Sequence, residues 1–222
     1  MNNLRNIVLA FCVFCFSVFV SNAKATYVGG VINMKNGKKI ECQINESTFF
    51  AYNIEYRLSS TSPVEIVKQE NIKSIVIPDG EGNVAYLENV LYLKSKDFLK
   101  GDYSDTRSEM MNVREYGSVS LFCKSITTYQ NGKLLCNDLK YYGRKEGTDY
   151  AVYLGWVQTQ LKPFQDEYYT KTYGHFNKLY EKFFGDYPDL CKQISEKKLK
   201  LEDIEDIVRE YNVYKAEKSS KK

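Results

Sequence analysis

One imidazole, His175, is present in 222 residues. Any Ser-His-Asp or Cys-His site would have to use it. It stands where a helical stripe opens at Phe176, after Thr172, a candidate cap. No G-x-S-x-G nucleophile turn accompanies it. The expectation is a surface or cap-region histidine, and no catalytic residue is assigned. The cysteines and carboxylates do not make a metal centre either, because the zinc spacings are missing. Glu202-Asp203-Ile204-Glu205-Asp206 holds four carboxylates in five residues. It lies in a helix first turn, where acids meet the positive end of the dipole, so capping is the expected role. Asp102 to Asp105 lacks the Gly and terminal Glu of a calcium loop, and no Gly-rich phosphate loop is present. No metal and no cofactor are expected. Paired acids carry no spacing signature, so a carboxylate-based hydrolase of unidentified substrate stays open as an alternative.

The chemistry this chain does advertise is aromatic. It has 19 Tyr and one Trp. Tyr141, Tyr142, Tyr150, Tyr153, Trp156, Tyr168 and Tyr169 crowd the segment between Leu139 and Tyr173. Tyr offers a large apolar face with one polar handle, which suits interfaces and sugar stacking. These seven are the candidate binding surface. The other reading is that the rings fill the seam between a sheet and helices.

Compartment and charge limit the partners. The first residues, MNNLRNIVLAFCVFCFSVFVSNAKA, carry a positive start at Arg5, an apolar run from Ile7 to Val20, and small residues at Ala23 and Ala25. That pattern reads as a secretory signal peptide cleaved before Thr26. A membrane anchor would need ~20 apolar residues, and this run is shorter. A periplasmic or secreted chain without a later membrane span is expected. Of 31 basic and 28 acidic residues, cleavage removes Arg5 and Lys24, leaving 29 against 28. The end Lys215 to Lys222 holds four Lys and one Glu. The remainder is slightly acidic, so no basic face for nucleic acid is expected, and the basic tail reads as a solvated end.

Cleavage leaves Cys42, Cys123, Cys136 and Cys191. Export invites disulfides, but Cys123 and Cys136 flank a turn at Asn131-Gly132 in a way that keeps their Cα atoms beyond the ~7 Å limit. Buried free thiols are expected, with a long-range bridge to Cys191 as the other option.

These residues must be positioned by sheets and short helices. Around Asn36-Gly37 the apolar residues Val28, Ile32, Met34, Ile40, Cys42 and Ile44 are all even-numbered. Only a three-residue loop, pairing 34 with 38, 32 with 40 and 30 with 42, keeps them on one face. It requires Gly37 in the left-handed region. Alternation over Thr48 to Leu58 predicts a half-buried strand with Phe50, Tyr52, Ile54, Tyr56 and Leu58 on one side. Short strands at Val64–Lys68 and Ile75–Ile77 flank a helical turn near Glu70, and Pro78-Asp79-Gly80 closes the unit. Five short strands point to a small SH3- or Sm-like barrel, or to one curved sheet shared with the next region of the chain.

The pattern then predicts a strand over Val84–Leu93, a loop over Asp97–Ser108, a hairpin of Met110–Arg114 with Val119–Thr127, and a return strand over Leu134–Tyr142. Gly143–Thr148 reads as a turn, and Ala151–Val157 as strand or helix. The last third carries helical stripes: Phe176, Leu179, Tyr180, Phe183 and Phe184; then Leu190, Cys191 and Ile194 behind a cap at Asp186; then Leu201, Ile204, Ile207, Val208 and Tyr211. The fold class is α+β, antiparallel β-rich in its first two-thirds with a C-terminal cluster of three short helices. The divisions are a leader over 1–25, a small β-barrel-like unit over 26–80, a second antiparallel region over 81–160, a helical region over 161–214 and a tail over 215–222.

YGSVSLF at 116–122, YYGRKEG at 141–147, FFGDYPDL at 183–190 and IEDIVREYN at 204–212, together with the N-terminal hairpin, resemble a group of exported Bacteroidetes proteins of unknown function. The resemblance covers most of the chain after the leader. It implies a Gram-negative envelope setting and supplies no active-site residues, since its motifs are turns, caps and core stripes. The expected function is non-enzymatic binding of another envelope component, protein or glycan, through an aromatic-rich surface. The alternatives are the hydrolase and a structural accessory subunit.

Overall fold

The computed structural model describes residues 25–78, 83–130, 133–162 and 167–220. The leader, the Asp79-Gly80 turn, the Asn131-Gly132 turn and the last two lysines lie outside the described residues. The architecture is a β-rich antiparallel sheet carrying a C-terminal helical cluster.

The opening hairpin pairs β1 (Tyr27–Met34) with β2 (Lys39–Asn45). Its register sets Ile32 against Ile40, Gly30 against Cys42 and Val28 against Ile44. Gly37 closes the loop at φ 86°, as the parity of the apolar residues requires. β3 (Asn53–Arg57) is shorter than the alternation predicts. Asn45 accepts the Ser47 N–H and starts a 3-10 turn over Glu46–Thr48. The chain therefore wraps before it extends: Phe49 packs on the core, while Phe50, Tyr52 and Leu58 are exposed. β4 (Glu65–Lys68), a 3-10 turn over Gln69–Asn71 and β5 (Ile72–Pro78) come next. The five strands enclose one core around Ile32, Ile44, Ile54, Ile72 and Ile75. No pairing joins β4 to β5 among the described residues. Instead β5 continues into β6 (Val84–Leu93), and Leu87 and Met110 of the next region complete the first core.

β6 is shared. Its first half pairs with β5, and its last two residues meet β10 (Ala151–Leu161) in a short parallel contact, Tyr92 with Ala151 and Leu93 with Val152. With β7 (Arg107–Glu115), β8 (Val119–Gln130) and β9 (Lys133–Lys145), this contact closes a ring of five strands, β6 to β10. Val90, Met111, Phe122, Tyr142 and Ala151 form its interior. The opposite face of β8 to β10, with Leu121, Cys123, Tyr141, Val152 and Leu154, packs on the helices.

Three expectations are corrected in this region. Residues 97–108 are not all loop: helix α1 (Ser95–Lys100) opens there, stopped by Gly101 at φ 74°. It is held by the Ser95 hydroxyl donating to the Tyr153 carbonyl at 2.6 Å and by Phe98 beside Tyr150 and Phe183. β9 runs to Lys145, so the first half of the expected 143–148 turn is strand. The region after 160 does not begin helical. β11 (Tyr168–Gly174) pairs along β10 as the sheet edge.

α2 (Phe176–Phe184), α3 (Pro188–Ser195) and α4 (Ile204–Ser220) bury the three expected stripes, with Tyr180 and Cys191 only partly covered. Asp186 does not cap α3. Its carboxylate accepts the Tyr211 hydroxyl at 2.7 Å and the Lys215 ammonium at 2.8 Å, so Lys215 is anchored rather than part of a loose tail, and α4 runs to Ser220. Asn212 fixes α4 to the ring, its amide trading hydrogen bonds with the Val119 N–H and C=O, both 2.9 Å. Close approach of Leu201 to the sheet depends on Gly155, where a Cβ would sit 2.4 Å from the Leu201 side chain.

Candidate functional site

His175 is exposed at the N-cap of α2 and makes no side-chain cap bond. Asp203 accepts the Lys200 N–H at 2.8 Å, a capping role, while Glu205 reaches Tyr141 and Arg114. Among the described residues no group of three or more His, Cys, Asp or Glu is placed to hold a metal ion. Burial pushes the Cys42 and Cys123 thiols up to about 11. All four described cysteines are free, and Cys136 stands opposite Thr128 across a β8–β9 bulge.

The seven aromatic residues do not share one face. Tyr141 is buried against the helices, its hydroxyl 3.3 Å from Glu205. Tyr142 points into the ring interior, with Tyr92 and Tyr153 at 4.9 and 5.3 Å between ring centroids. Burial raises the Tyr142 and Tyr153 phenols; burial and then Glu109 take Tyr92 to about 12. Tyr150 belongs to the α1 contact, beside Phe98 and Tyr103. Tyr168 is exposed near the hairpin ends, donating to the Leu134 carbonyl at 3.1 Å. That leaves Trp156 and Tyr169, which do share a face.

This face is the ring interior prolonged. β8 and β9 outrun β7, so beyond Cys123 the interior side of β8 to β11 is no longer covered by it. An extra residue near Leu154 shifts the β10 register, which puts Tyr153 and Trp156 on the same side. Three rows of directly opposed residues result. The first is Lys124, Lys140, Trp156 and Tyr173; the second Ile126, Asp138, Gln158 and Lys171; the third Thr128, Cys136, Gln160 and Tyr169.

The first row is chemically incomplete. The indole N–H of Trp156 is buried and has no acceptor among the described residues. The Trp156 ring lies between Tyr173, 4.9 Å between centroids, and the Lys140 ammonium, 5.8 Å from its centroid. Lys140 stands directly opposite Lys124, and like charges so placed repel. Lys124 is neutralised by Glu109 at 2.7 Å, whereas Lys140 has no carboxylate partner among the described residues. The acid of the second row, Asp138, accepts from Gln158 at 2.9 Å and Cys136 at 3.2 Å, both on Oδ1. Against Glu109 and Asp138 the face sets three lysines, Lys124, Lys140 and Lys171, an excess of one positive charge.

Lys124, Lys140, Lys171 and Tyr173 were not among the residues singled out by sequence. Their only sequence signal is alternation on strands whose partners depend on hairpin registers and two bulges.

The ring also holds two carboxylates. Glu88 pairs with Arg144 at 2.6 Å and accepts the Tyr116 hydroxyl at 2.7 Å; Glu109 accepts from Lys124 and Tyr92. They sit diagonally across β6 and β7, with the fully buried Val90 and Met111 on the other diagonal. Both are engaged by cations.

The chain matches no protein-family profile, no curated protein and no solved structure.

Proposed function

We propose that this is an exported envelope protein that performs no chemistry of its own and holds another envelope component, protein or glycan, on the β8–β11 face. The observation that carries the reading is the buried Trp156 indole N–H, which has no acceptor among the described residues, beside Lys140, which has no carboxylate partner among them. An unsatisfied buried donor costs roughly 1–3 kcal/mol, and such groups in a folded protein call for an explanation. A bound partner that brings acceptors is one that also accounts for the surplus charge. The reading is favoured over a carboxylate hydrolase because Glu88 and Glu109 are both committed to ion pairs. Export rests on the leader pattern. No described helix is long and apolar enough to cross a membrane.

The test is a photo-crosslinking residue at Tyr173, which is 44% exposed, in intact cells of the source organism. The expected result is a discrete adduct with one envelope component, absent when the same group replaces Tyr129, exposed at the end of the β8–β9 hairpin. Equal labelling from both positions, or none from Tyr173, would remove the reading.

A further inference from the structure

We infer that the component held on this face is an acidic glycan: sugar rings bearing carboxylate or sulfate groups. The inference rests on the binding reading above and narrows it.

Three features converge on that chemistry. The first is hydrogen-bond balance. Among the described residues the Trp156 N–H has no acceptor and Lys140 no carboxylate; Glu109 is taken by Lys124 and Tyr92, and Asp138 accepts from Gln158 and Cys136 on Oδ1 alone. A ligand that completes the face must therefore bring acceptors, and an anion does so best, since hydrogen bonds to a charged acceptor are about twice as strong as neutral ones. The second is charge. Lys124, Lys140 and Lys171 face Glu109 and Asp138, a surplus of one positive charge that coincides with the like-charge pair Lys124–Lys140. An anion beside Lys140 supplies the counter-charge that Glu109 already supplies to Lys124.

The third is the aromatic spacing. Tyr173 and Tyr169 lie on the same side of the edge strand with Lys171 between them, its ammonium 5.2 Å from the Tyr169 ring centroid. Four residues along a strand span about 14 Å. Ring, cation, ring at that interval matches a chain ligand that alternates stacking faces with charge, rather than one small ion. Tyr173 presents an open ring at the sheet edge, and Tyr pairs an apolar stacking face with a polar handle.

Trp156, the chain's single Trp, makes the face its own reporter. The purified chain is titrated at low salt with a galacturonic acid tetramer, its methyl ester, a chondroitin sulfate oligomer, poly-glutamate and a thymidine oligomer, reading Trp156 emission with calorimetry alongside. The tetramer carries rings and charge, the ester rings alone, poly-glutamate charge alone.

The expected result is binding of the uronate or the sulfated oligomer, whichever source supplies the charge, with the ester at least about tenfold weaker and affinity falling as salt screens the face. Tyr173→Ala should weaken binding about thirtyfold, the scale of an aromatic hot spot. Lys140→Gln and Lys171→Gln should each weaken it about tenfold, as rim or paired charges do, without lowering the urea midpoint. An ester that binds as tightly as the acid would leave the face a binding site and overturn the anionic assignment. Poly-glutamate or the thymidine oligomer binding as tightly as the uronate would overturn the glycan assignment. Failure of both acidic glycans to bind would overturn it too, and the Tyr173 adduct would then tell whether the face binds anything.

Discussion

Replacing Trp156 by Phe removes the indole N–H while keeping an aromatic ring between Lys140 and Tyr173. In a packed site with satisfied polar groups, shrinking a ring costs stability. Here two effects oppose each other. The smaller ring buries roughly 40 Å² less apolar surface, which at about 25 cal/mol per Å² costs ~1 kcal/mol. The N–H that it eliminates has no acceptor among the described residues, and leaving such a donor buried costs roughly 1–3 kcal/mol. The difference runs from neutral to ~2 kcal/mol of stabilisation. Urea unfolding followed by far-UV circular dichroism measures it, since the variant has no Trp to report. With a slope near ~2 kcal/mol per molar for a chain of this size, the upper end moves the midpoint up by about 1 M. A loss greater than about 1 kcal/mol would show that the N–H is satisfied, by water or by a ring face, and would remove the observation on which the binding face rests.

Further perturbations test the frame around that face. At Gly37, φ is 86° and a Cβ would meet nothing within 4 Å, so Gly37→Ala should cost only the left-handed conformation, ~1–2 kcal/mol, while Gly37→Asn costs less; equal losses for both in urea unfolding would refute the turn assignment. Burial pushes the Asp186 carboxyl up, but the hydrogen bond and charge of Lys215 and the Tyr211 hydroxyl outweigh it and hold it below the ordinary 3.8. A lowered carboxyl contributes stability above its unfolded pKa and loses it as pH falls through the folded one. Asp186→Asn should therefore flatten the decline in unfolding midpoint below about pH 4, and an unchanged acid limb would refute the role. Cys42 and Cys123, buried and raised to about 11, should resist a thiol reagent at pH 8 while partly exposed Cys136 and Cys191 react. If the leader is cleaved before Thr26, the chain isolated from cells should titrate four thiols after denaturation, whereas six would mean that Cys12 and Cys15 are retained.

Much of the scaffold was legible because local rules govern it. One-face parity alone chose the β1–β2 register, since a slip by one residue would have exposed Ile32 and Ile44, both fully buried. The helical stripes were legible for the same reason: Leu179, Phe183, Ile204, Ile207 and Val208 recur at helical spacing and all are buried. Where a local signal competed with packing, packing won. Phe50 and Tyr52 alternate correctly for a strand, yet the Asn45 cap bends the chain and leaves them outside. Helix α1 has too few residues to announce itself, because six residues form a helix only when something such as the Tyr150–Phe183 wall receives them.

The aromatic cluster marks the division most sharply. Its composition was visible in sequence, and period two already forbids adjacent strand residues such as Tyr141 and Tyr142 from sharing a face. Which rings would be open was not visible. Trp156 joins Tyr153 only because the register shifts near Leu154, and it meets Lys140 and Tyr173 only through the registers of two hairpins. By itself the sequence determined the class of the fold, the Gly37 turn and the helix faces, since those depend on residues a few positions apart. The tertiary structure alone decided the row Lys124, Lys140, Trp156 and Tyr173. It draws one residue from each of four strands across about 50 positions, and no local propensity carries information about a neighbour that exists only once the strands have paired.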